Sequence, residues 1–184
     1  MNMRRDVPGQ HPSPFGSISD DPGRFRDRRD AGRRLIGRLR AFRGPEVVIL
    51  ALSPGGAAVA HEIATGLRVR LDMVTDEHAR PYHGLRGSFC LADCTVVLVD
   101  DVLVDAEAAE MACRTAYRHG AVRVVAAAPV ATQTAIDYLT AVVDNVVCLE
   151  IPARLELRDP WYGDDGGSAA ANIRGLVEQS TVQA

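Results

Sequence analysis

The sequence predicts an α/β fold, a single doubly wound parallel sheet of about five strands with flanking helices. The strongest indication is the aliphatic run 96–99, which is too uniformly apolar for an amphipathic helix and is typical of a strand buried on both faces. Hydrophobic runs alternate with helical patterns along the chain, which predicts parallel strands joined by crossover helices. A length of 184 residues is enough for one domain with a full core.

Composition narrows the class of protein. Hydrophobic residues make up 47% and charged residues 24% of the chain, both ordinary for a globular protein. The net charge of −3 gives no reason to expect nucleic acid as a partner. We expect a cytoplasmic protein with no membrane span, because there is no long apolar run and the basic N-terminus lacks the apolar segment of a signal peptide. The 21 basic residues are all arginine, which excludes lysine-based catalysis.

The N-terminal stretch 1–23 is rich in proline, glycine, serine and charge, which predicts a disordered tail, with the folded domain over 24–184. An aspartate before Pro22 favours a first helix that begins there and ends near Phe42. Its many arginines are expected to form a solvated face, because aspartates interleave them.

The rest of the chain alternates strands and helices. Strands are expected at 46–52, 69–75, 95–99, 121–128 and 145–149. Helices are expected at 57–66, 104–118, 132–142 and 169–177. The polar segment 76–93 is expected to be a loop or a very short insertion.

A glycine-rich turn follows the first predicted strand, with the sequence Ser53-Pro54-Gly55-Gly56. A strand, such a turn and a helix N-terminus together can cradle an anion, because backbone N–H groups and the helix dipole point at one place. Glycines are also required where a turn packs closely against its neighbours. Both interpretations remain open at this stage.

Two carboxylates, Asp100 and Asp101, follow the central apolar strand directly. Ligands of open α/β sheets bind at the carboxyl ends of the strands, so these acids are placed to meet ligand hydroxyls or a metal ion. The alternative is that one of them caps the next helix and the other faces water.

Several segments, taken in order, resemble the type I phosphoribosyltransferases, and in particular a bacterial subgroup of that family. The hydrophobic strand, two acids, loop and helix at 95–118 resemble the motif that binds phosphoribosyl pyrophosphate (PRPP). The supporting segments lie between residues 24 and 162 and are FRDRRDAGRRLIGRL at 25–39, VVILALSPGGAAVAHEIATGL at 47–67, LRG at 85–87, VVAAAPVA at 124–131 and VVCLEIPA at 146–153.

The resemblance implies a PRPP site. Active members transfer a 5-phosphoribosyl group from PRPP, usually with Mg²⁺, and their two motif acids hold the ribose hydroxyls directly or through metal-bound water. By this resemblance Asp100 and Asp101 are the catalytic residues and the Mg²⁺ ligands. The pyrophosphate loop corresponds to Ser53, Gly55 and Gly56. The resemblance also implies a homodimer.

The loop that holds the 5′-phosphate in active members departs from the family pattern. It normally reads Gly-x-x-Thr-Gly-x-Thr, whereas this chain has Val102, Leu103, Val104, Asp105, Ala106, Glu107 and Ala108. Both hydroxyls and both glycines are absent, so the backbone has lost its close approach to a phosphate. Asp105 and Glu107 place negative charge where a dianion binds, and a solvated like-charge pair at ~4 Å costs about 1 kcal/mol. The same acids favour a helix N-terminus.

Three further departures from the family pattern also argue against PRPP transfer. The subgroup's pyrophosphate loop reads Pro-Arg-Gly-Gly, and here its arginine is missing. An Arg-Lys pair after the second strand is replaced by Asp76-Glu77. Active relatives close a long hood over the substrate, whereas only about 18 residues separate Glu77 from Val96 here, which leaves little to exclude water.

The favoured hypothesis is therefore a divergent phosphoribosyltransferase-fold protein that lacks normal PRPP transfer. It would act in ligand binding, regulation or interaction, with a nucleotide-like or uncharged small molecule or a protein as partner. It would need no cofactor, and its residual site would be the two acids with the Ser53–Gly56 turn.

Besides a metal-dependent hydrolase built on the two acids, for which the chain shows no matched general base, two alternatives remain open. The protein is a working Mg²⁺-dependent phosphoribosyltransferase for an unidentified acceptor, whose phosphate is held by Arg80 or Arg86. Or it is a scaffold subunit that pairs with an active paralogue, because relatives of this fold commonly dimerise.

Four residues of the types that bind zinc lie within a stretch of 17 positions, in and just after the predicted loop: His78, His83, Cys90 and Cys94. Their spacing matches no common zinc finger, so the preferred interpretation is two loop histidines and two reduced thiols.

Overall fold

The computed structural model describes residues 25–74, 91–104, 106–153 and 161–163. The predicted tail at 1–23, the predicted helix at 169–177 and most of the loop at 76–93 lie outside these residues. None of the helices in the described ranges has the length and apolar character that a membrane crossing requires.

The predicted fold class is confirmed, because all strands pair in parallel within one sheet. The described residues form six strands: β1 (Val47–Ala51), β2 (Arg70–Met73), β3 (Thr95–Val99), β4 (Val102–Leu103), β5 (Arg123–Ala131) and β6 (Asn145–Glu150). Four helices lie in the same described ranges: α1 (Arg28–Ile36), α2 (Pro54–Leu67), α3 (Glu107–Arg118) and α4 (Gln133–Leu139). The strand order is β2-β1-β3-β5, and β6 pairs with the other side of β5.

The five predicted strands are all present, and β4 is an addition to them. β3 pairs with the first half of β5, and β4 pairs with Val130 and Ala131 at its end. β4 thus continues the line of β3 after an interruption of two residues, Asp100 and Asp101. The helix expected from Val104 begins only at Glu107, after β4 has ended at Leu103.

Helix boundaries differ from the expectations at several ends. α1 begins at Arg28, because the Asp27 carboxylate caps it by accepting from the Asp30 backbone N–H at 2.6 Å, and it ends at Ile36 rather than near Phe42. α2 begins at Pro54, so the predicted glycine turn is the first turn of a helix. α4 ends at Leu139, three residues earlier than expected.

Side chains alternate along each strand and fill a core on each face of the sheet. On one face, Val48, Val96 and Val124 pack with α3 and α4. On the other face, Ile49 and Val97 pack with α1 and α2. A third, smaller cluster lies at the carboxyl end of β5 and contains Phe25, Ala31, Val130, Trp161 and Tyr162. Both sheet faces are therefore covered by helices, as the uniformly apolar strands predicted.

Candidate functional site

Asp100 and Asp101 lie at the carboxyl edge of the sheet, between β3 and β4. The backbone N–H of Asp100 donates to the Ala127 carbonyl of β5 at 3.2 Å. Leu52, just before α2, donates to the Val99 carbonyl at 2.8 Å. These bonds hold the acids beside the N-terminus of α2, as the sequence predicted.

Ser53 connects the helix N-terminus to the first acid. Its hydroxyl accepts from the Gly56 backbone N–H at 2.9 Å, which caps α2, and donates to Asp100 Oδ1. The Asp101 backbone N–H donates to the same oxygen at 2.9 Å. One oxygen of Asp100 is therefore satisfied by two internal donors.

The protonation of Asp100 reflects its burial. Desolvation raises the pKa of the Asp100 carboxyl to about 7, the hydrogen bond from Ser53 lowers it, and the negative charge of Asp101 raises it. Near neutral pH the acid pair therefore carries less than two full negative charges.

Asp101 forms an ion pair that the sequence did not predict. Arg28 Nε donates to Asp101 Oδ2 at 2.7 Å, and the two side chains are only 27% and 17% exposed. The other oxygen, Oδ1, accepts from the Val102 backbone N–H at 3.2 Å. Arg28 belongs to α1, whose arginines were expected to form a solvated face; for Arg28 that expectation is wrong. The partners are 73 residues apart in the chain, so no local pattern could have revealed the pair.

Tyr162 completes the surroundings of this ion pair. The Arg28 guanidinium lies over the Tyr162 ring, 4.7 Å from its centroid, and the Tyr162 hydroxyl donates to the Asp101 carbonyl at 2.6 Å. Burial raises the pKa of Tyr162, and so does the charge of Asp101, which keeps the phenol a donor. The backbone of Phe25 pairs with the 161–163 segment, donating to Trp161 at 2.9 Å and accepting from Gly163 at 3.0 Å.

Gly55 and Gly56 are required by close packing against the acids. A Cβ at Gly55 would lie 2.3 Å from Asp101 Oδ2, and one at Gly56 would lie 2.8 Å from the Val99 carbonyl oxygen. The packing interpretation of these glycines is therefore sufficient to explain them. The anion cradle stays a prediction.

The residues aligned with the family's phosphate loop occupy different elements. Val102 is in β4 and packs against the Phe25 and Tyr162 cluster. Ala106 precedes α3 and makes no side-chain capping bond, and Glu107 is the exposed first residue of that helix. Asp105 lies outside the described residues. The predicted ligand contacts of this segment stay predictions.

The zinc hypothesis is largely outside the described residues, as are Arg80 and Arg86. Of the four candidate ligands only Cys94 is described; it is buried, and Arg70 Nη2 lies 3.2 Å from its sulfur. Across the described ranges, no group of three or more histidine, cysteine or carboxylate side chains is arranged to hold a metal ion.

A Mg²⁺ site was implied by the family resemblance, with the two acids as its ligands. Three of their four carboxylate oxygens accept internal hydrogen bonds, from Ser53, from Arg28 and from backbone N–H groups. Within the described part of the chain, only Asp100 Oδ2 has no such bond. This arrangement does not fit a divalent cation, because a bound arginine already compensates the charge of Asp101.

Comparisons with known proteins agree with the fold and with the motifs. No family model matches the chain. Proteins of two Mycobacterium tuberculosis strains, both named "Putative phosphoribosyl transferase", are 27% identical to it over 180 residues, covering 70% of this chain and 41% of the relative. The chain thus spans about two fifths of the length of the curated relatives it matches.

Solved structures share the fold of this chain. TT1426 from Thermus thermophilus superposes with a TM-score of 0.70 at 25% identity, over 85% of this chain and 98% of that one. An adenine phosphoribosyl transferase from Trypanosoma brucei superposes with a TM-score of 0.55 at 20% identity, over 75% of this chain and 69% of that one, and shows the shared fold. The comparisons show the phosphoribosyltransferase fold and agree with the resemblance to the type I family that the sequence motifs indicated. The loss of the loops and of the hood stays a prediction.

Proposed function

We propose that this phosphoribosyltransferase-fold protein binds an uncharged, hydroxyl-bearing small molecule of the nucleoside class and does not transfer phosphoribosyl groups from PRPP. The ligand would lie at the carboxyl edge of the sheet, against Asp100 and the first turn of α2. The ribose hydroxyls of the nucleoside would take the place that the ribose hydroxyls of PRPP have in active relatives.

The observation that carries this proposal is the internal engagement of the acid pair. Asp101 is neutralised by Arg28 at 2.7 Å, and Asp100 Oδ1 is held by Ser53 and a backbone N–H. Within the described residues Asp100 Oδ2 makes no internal hydrogen bond, so it is left to bond a ligand hydroxyl. A pair of acids in this state suits a single neutral donor better than a metal-bound pyrophosphate.

The sequence on the phosphate side supports the same choice. Asp105 stands in the sequence where active members have the first threonine of the phosphate loop, and Glu107 opens α3 two residues later. Since like charges repel, these acids disfavour the 5′-phosphate of PRPP but not the uncharged 5′-hydroxyl of a nucleoside.

The test is isothermal titration of PRPP into the purified protein, with and without Mg²⁺, beside titrations of adenosine, guanosine, cytidine and uridine. We expect no saturable heat with PRPP up to millimolar concentration and saturable binding of at least one nucleoside. Asp100→Asn should weaken nucleoside binding about tenfold. Asp137→Asn, which changes an exposed acid on α4, is the matched control and should leave it unchanged.

Micromolar PRPP binding would overturn the proposal. If that binding also required Mg²⁺ and disappeared in the Asp100→Asn/Asp101→Asn variant, the protein would be the Mg²⁺-dependent phosphoribosyltransferase of the alternative hypothesis, and acceptor screening would follow. Absence of binding for all four nucleosides would equally contradict the proposed ligand class.

A further inference from the structure

We propose that the Arg28 guanidinium takes the place of the divalent cation at the Asp100–Asp101 pair, so that this site works without a bound metal ion. The inference deepens the proposed function, because it concerns the same acids. It rests on the disagreement between the Mg²⁺ that the fold family implies and the partners that these carboxylates have in this chain.

The first support is the contact itself. Arg28 Nε donates to Asp101 Oδ2 at 2.7 Å, a distance typical of a charge-assisted hydrogen bond. Both side chains are mostly buried, at 27% and 17% exposure, so water screens the pair only partly. The positive charge therefore lies against the carboxylate that the family uses to reach its metal.

The second support is that the guanidinium is held from more than one side. It stacks on the Tyr162 ring at 4.7 Å, and Tyr162 in turn donates to the backbone carbonyl of Asp101. Arg28 is also the first residue of α1, which is fixed against α2 by the ion pair of Arg33 with Glu62 at 3.3 Å. The arginine is thus built into the site rather than resting on its surface.

The neighbouring arginines are used differently. Their side chains are between 44% and 75% exposed, and they pair with Asp27, Asp30 or Glu62. These arginines are Arg26, Arg29, Arg33 and Arg34. Among the described residues, Arg28 alone forms an ion pair with either acid of the motif. A general excess of arginine therefore does not account for its position.

Arg28 and a Mg²⁺ ion would compete for the Asp101 carboxylate. A Mg²⁺ ion binds carboxylate oxygens at about 2.0–2.1 Å and keeps several water ligands, which would have to occupy the space of the guanidinium. A second cation would also be repelled by the first. Removing the Arg28 charge should release Asp101 Oδ2 and, with Asp100 Oδ2, create a pair of free carboxylate oxygens.

The experiment is titration of Mn²⁺ alone, followed by electron paramagnetic resonance of the free ion, into wild type and Arg28→Gln. We expect no saturable Mn²⁺ binding by the wild type. Arg28→Gln should gain one site that binds at least about tenfold more tightly than any residual wild-type site. Adding Asp101→Asn to this variant should abolish the gain. Arg29→Gln, one residue along and paired with Glu62, is the matched control and should show no gain.

Wild-type protein that binds Mn²⁺ as tightly as Arg28→Gln would overturn the assignment, and so would a folded Arg28→Gln variant with no Mn²⁺ site. If that variant fails to fold, the wild type alone decides the question by NMR. Paramagnetic broadening of the Asp100 and Asp101 amides by Mn²⁺ would overturn the assignment, and unbroadened amides would support it. Because neither PRPP nor nucleoside is present, the result is separate from that of the proposed function.

Discussion

Gly32 of α1 lies so close to Val59 of α2 that a Cβ at position 32 would be 2.7 Å from the Val59 carbonyl oxygen. The two helices can approach to this distance only because position 32 has no side chain. The approach fixes α1 against α2 and thereby sets where Arg28, one helical turn earlier, meets the sheet.

Gly32→Ala should therefore destabilise the fold. The added methyl group meets backbone atoms that cannot rotate away, and overpacking of this kind costs about 1–3 kcal/mol. Urea denaturation measures the change. Gly37→Ala is the matched control on the same segment: its φ is −56°, and a Cβ there would have one neighbour, at 3.4 Å. That variant should be neutral or more stable by about 0.4–1 kcal/mol; an equal loss in both variants would contradict the packing argument.

Asp100 should make stability fall as pH rises between about 4 and 7. Its folded pKa of about 7 lies above the ordinary value of 3.8, so in this range the folded protein binds a proton that the unfolded chain has released. The free energy of unfolding should thus decline with pH in the wild type relative to Asp100→Asn. Urea denaturation of both proteins from pH 4 to 8 gives the difference, and a constant difference would show that Asp100 titrates normally.

Ser53→Ala should lower the stability of the fold and raise the pKa of Asp100. Loss of the α2 cap should cost about 1 kcal/mol of unfolding free energy. Because the hydrogen bond from Ser53 lowers the pKa of Asp100, its loss should raise that pKa further. Carboxyl NMR titration follows Asp100 directly. Thr132→Ala, which removes the cap of α4, should lose similar stability without moving the Asp100 titration.

Asp144 should contribute stability that is present near neutral pH and lost in acid. Its carboxylate accepts from the Val124 backbone N–H and from the Tyr117 hydroxyl, both at 2.7 Å, and these bonds lower its pKa. A depressed folded pKa means that the contribution disappears as pH falls through the folded value. Asp144→Asn should therefore flatten the acid limb of the stability profile, measured by thermal unfolding from pH 7 to 2. An unchanged acid limb would contradict this assignment.

Sequence reasoning predicted the elements whose signals are local. The run at 96–99 indicated a doubly buried strand, and β3 is one, with these four residues all buried. The position of Asp100 and Asp101 at the carboxyl edge followed from the strand before them. Local apolar pattern is enough here, because a central parallel strand has the same surroundings on both faces.

Boundaries were less well predicted where long-range packing decides them. The Ser53–Gly56 segment carries a capping serine and a proline at the first helical position, yet its glycines suggested a loop. They are tolerated in a helix because Val99 and the acids lie where side chains would project. Strand β4 was missed because it is only two residues long and is defined by its pairing with the end of β5.

The sequence by itself determined the parallel sheet and the two acids at its carboxyl edge, because each is specified by neighbouring residues in a continuous segment. Only the tertiary structure decided the state of those acids. The pairing of Arg28 with Asp101 joins residues 73 apart and depends on the helix crossing at Gly32 and on the Tyr162 ring. Charge compensation of this kind is set by distance in space, and the distance is fixed by packing rather than by any local pattern.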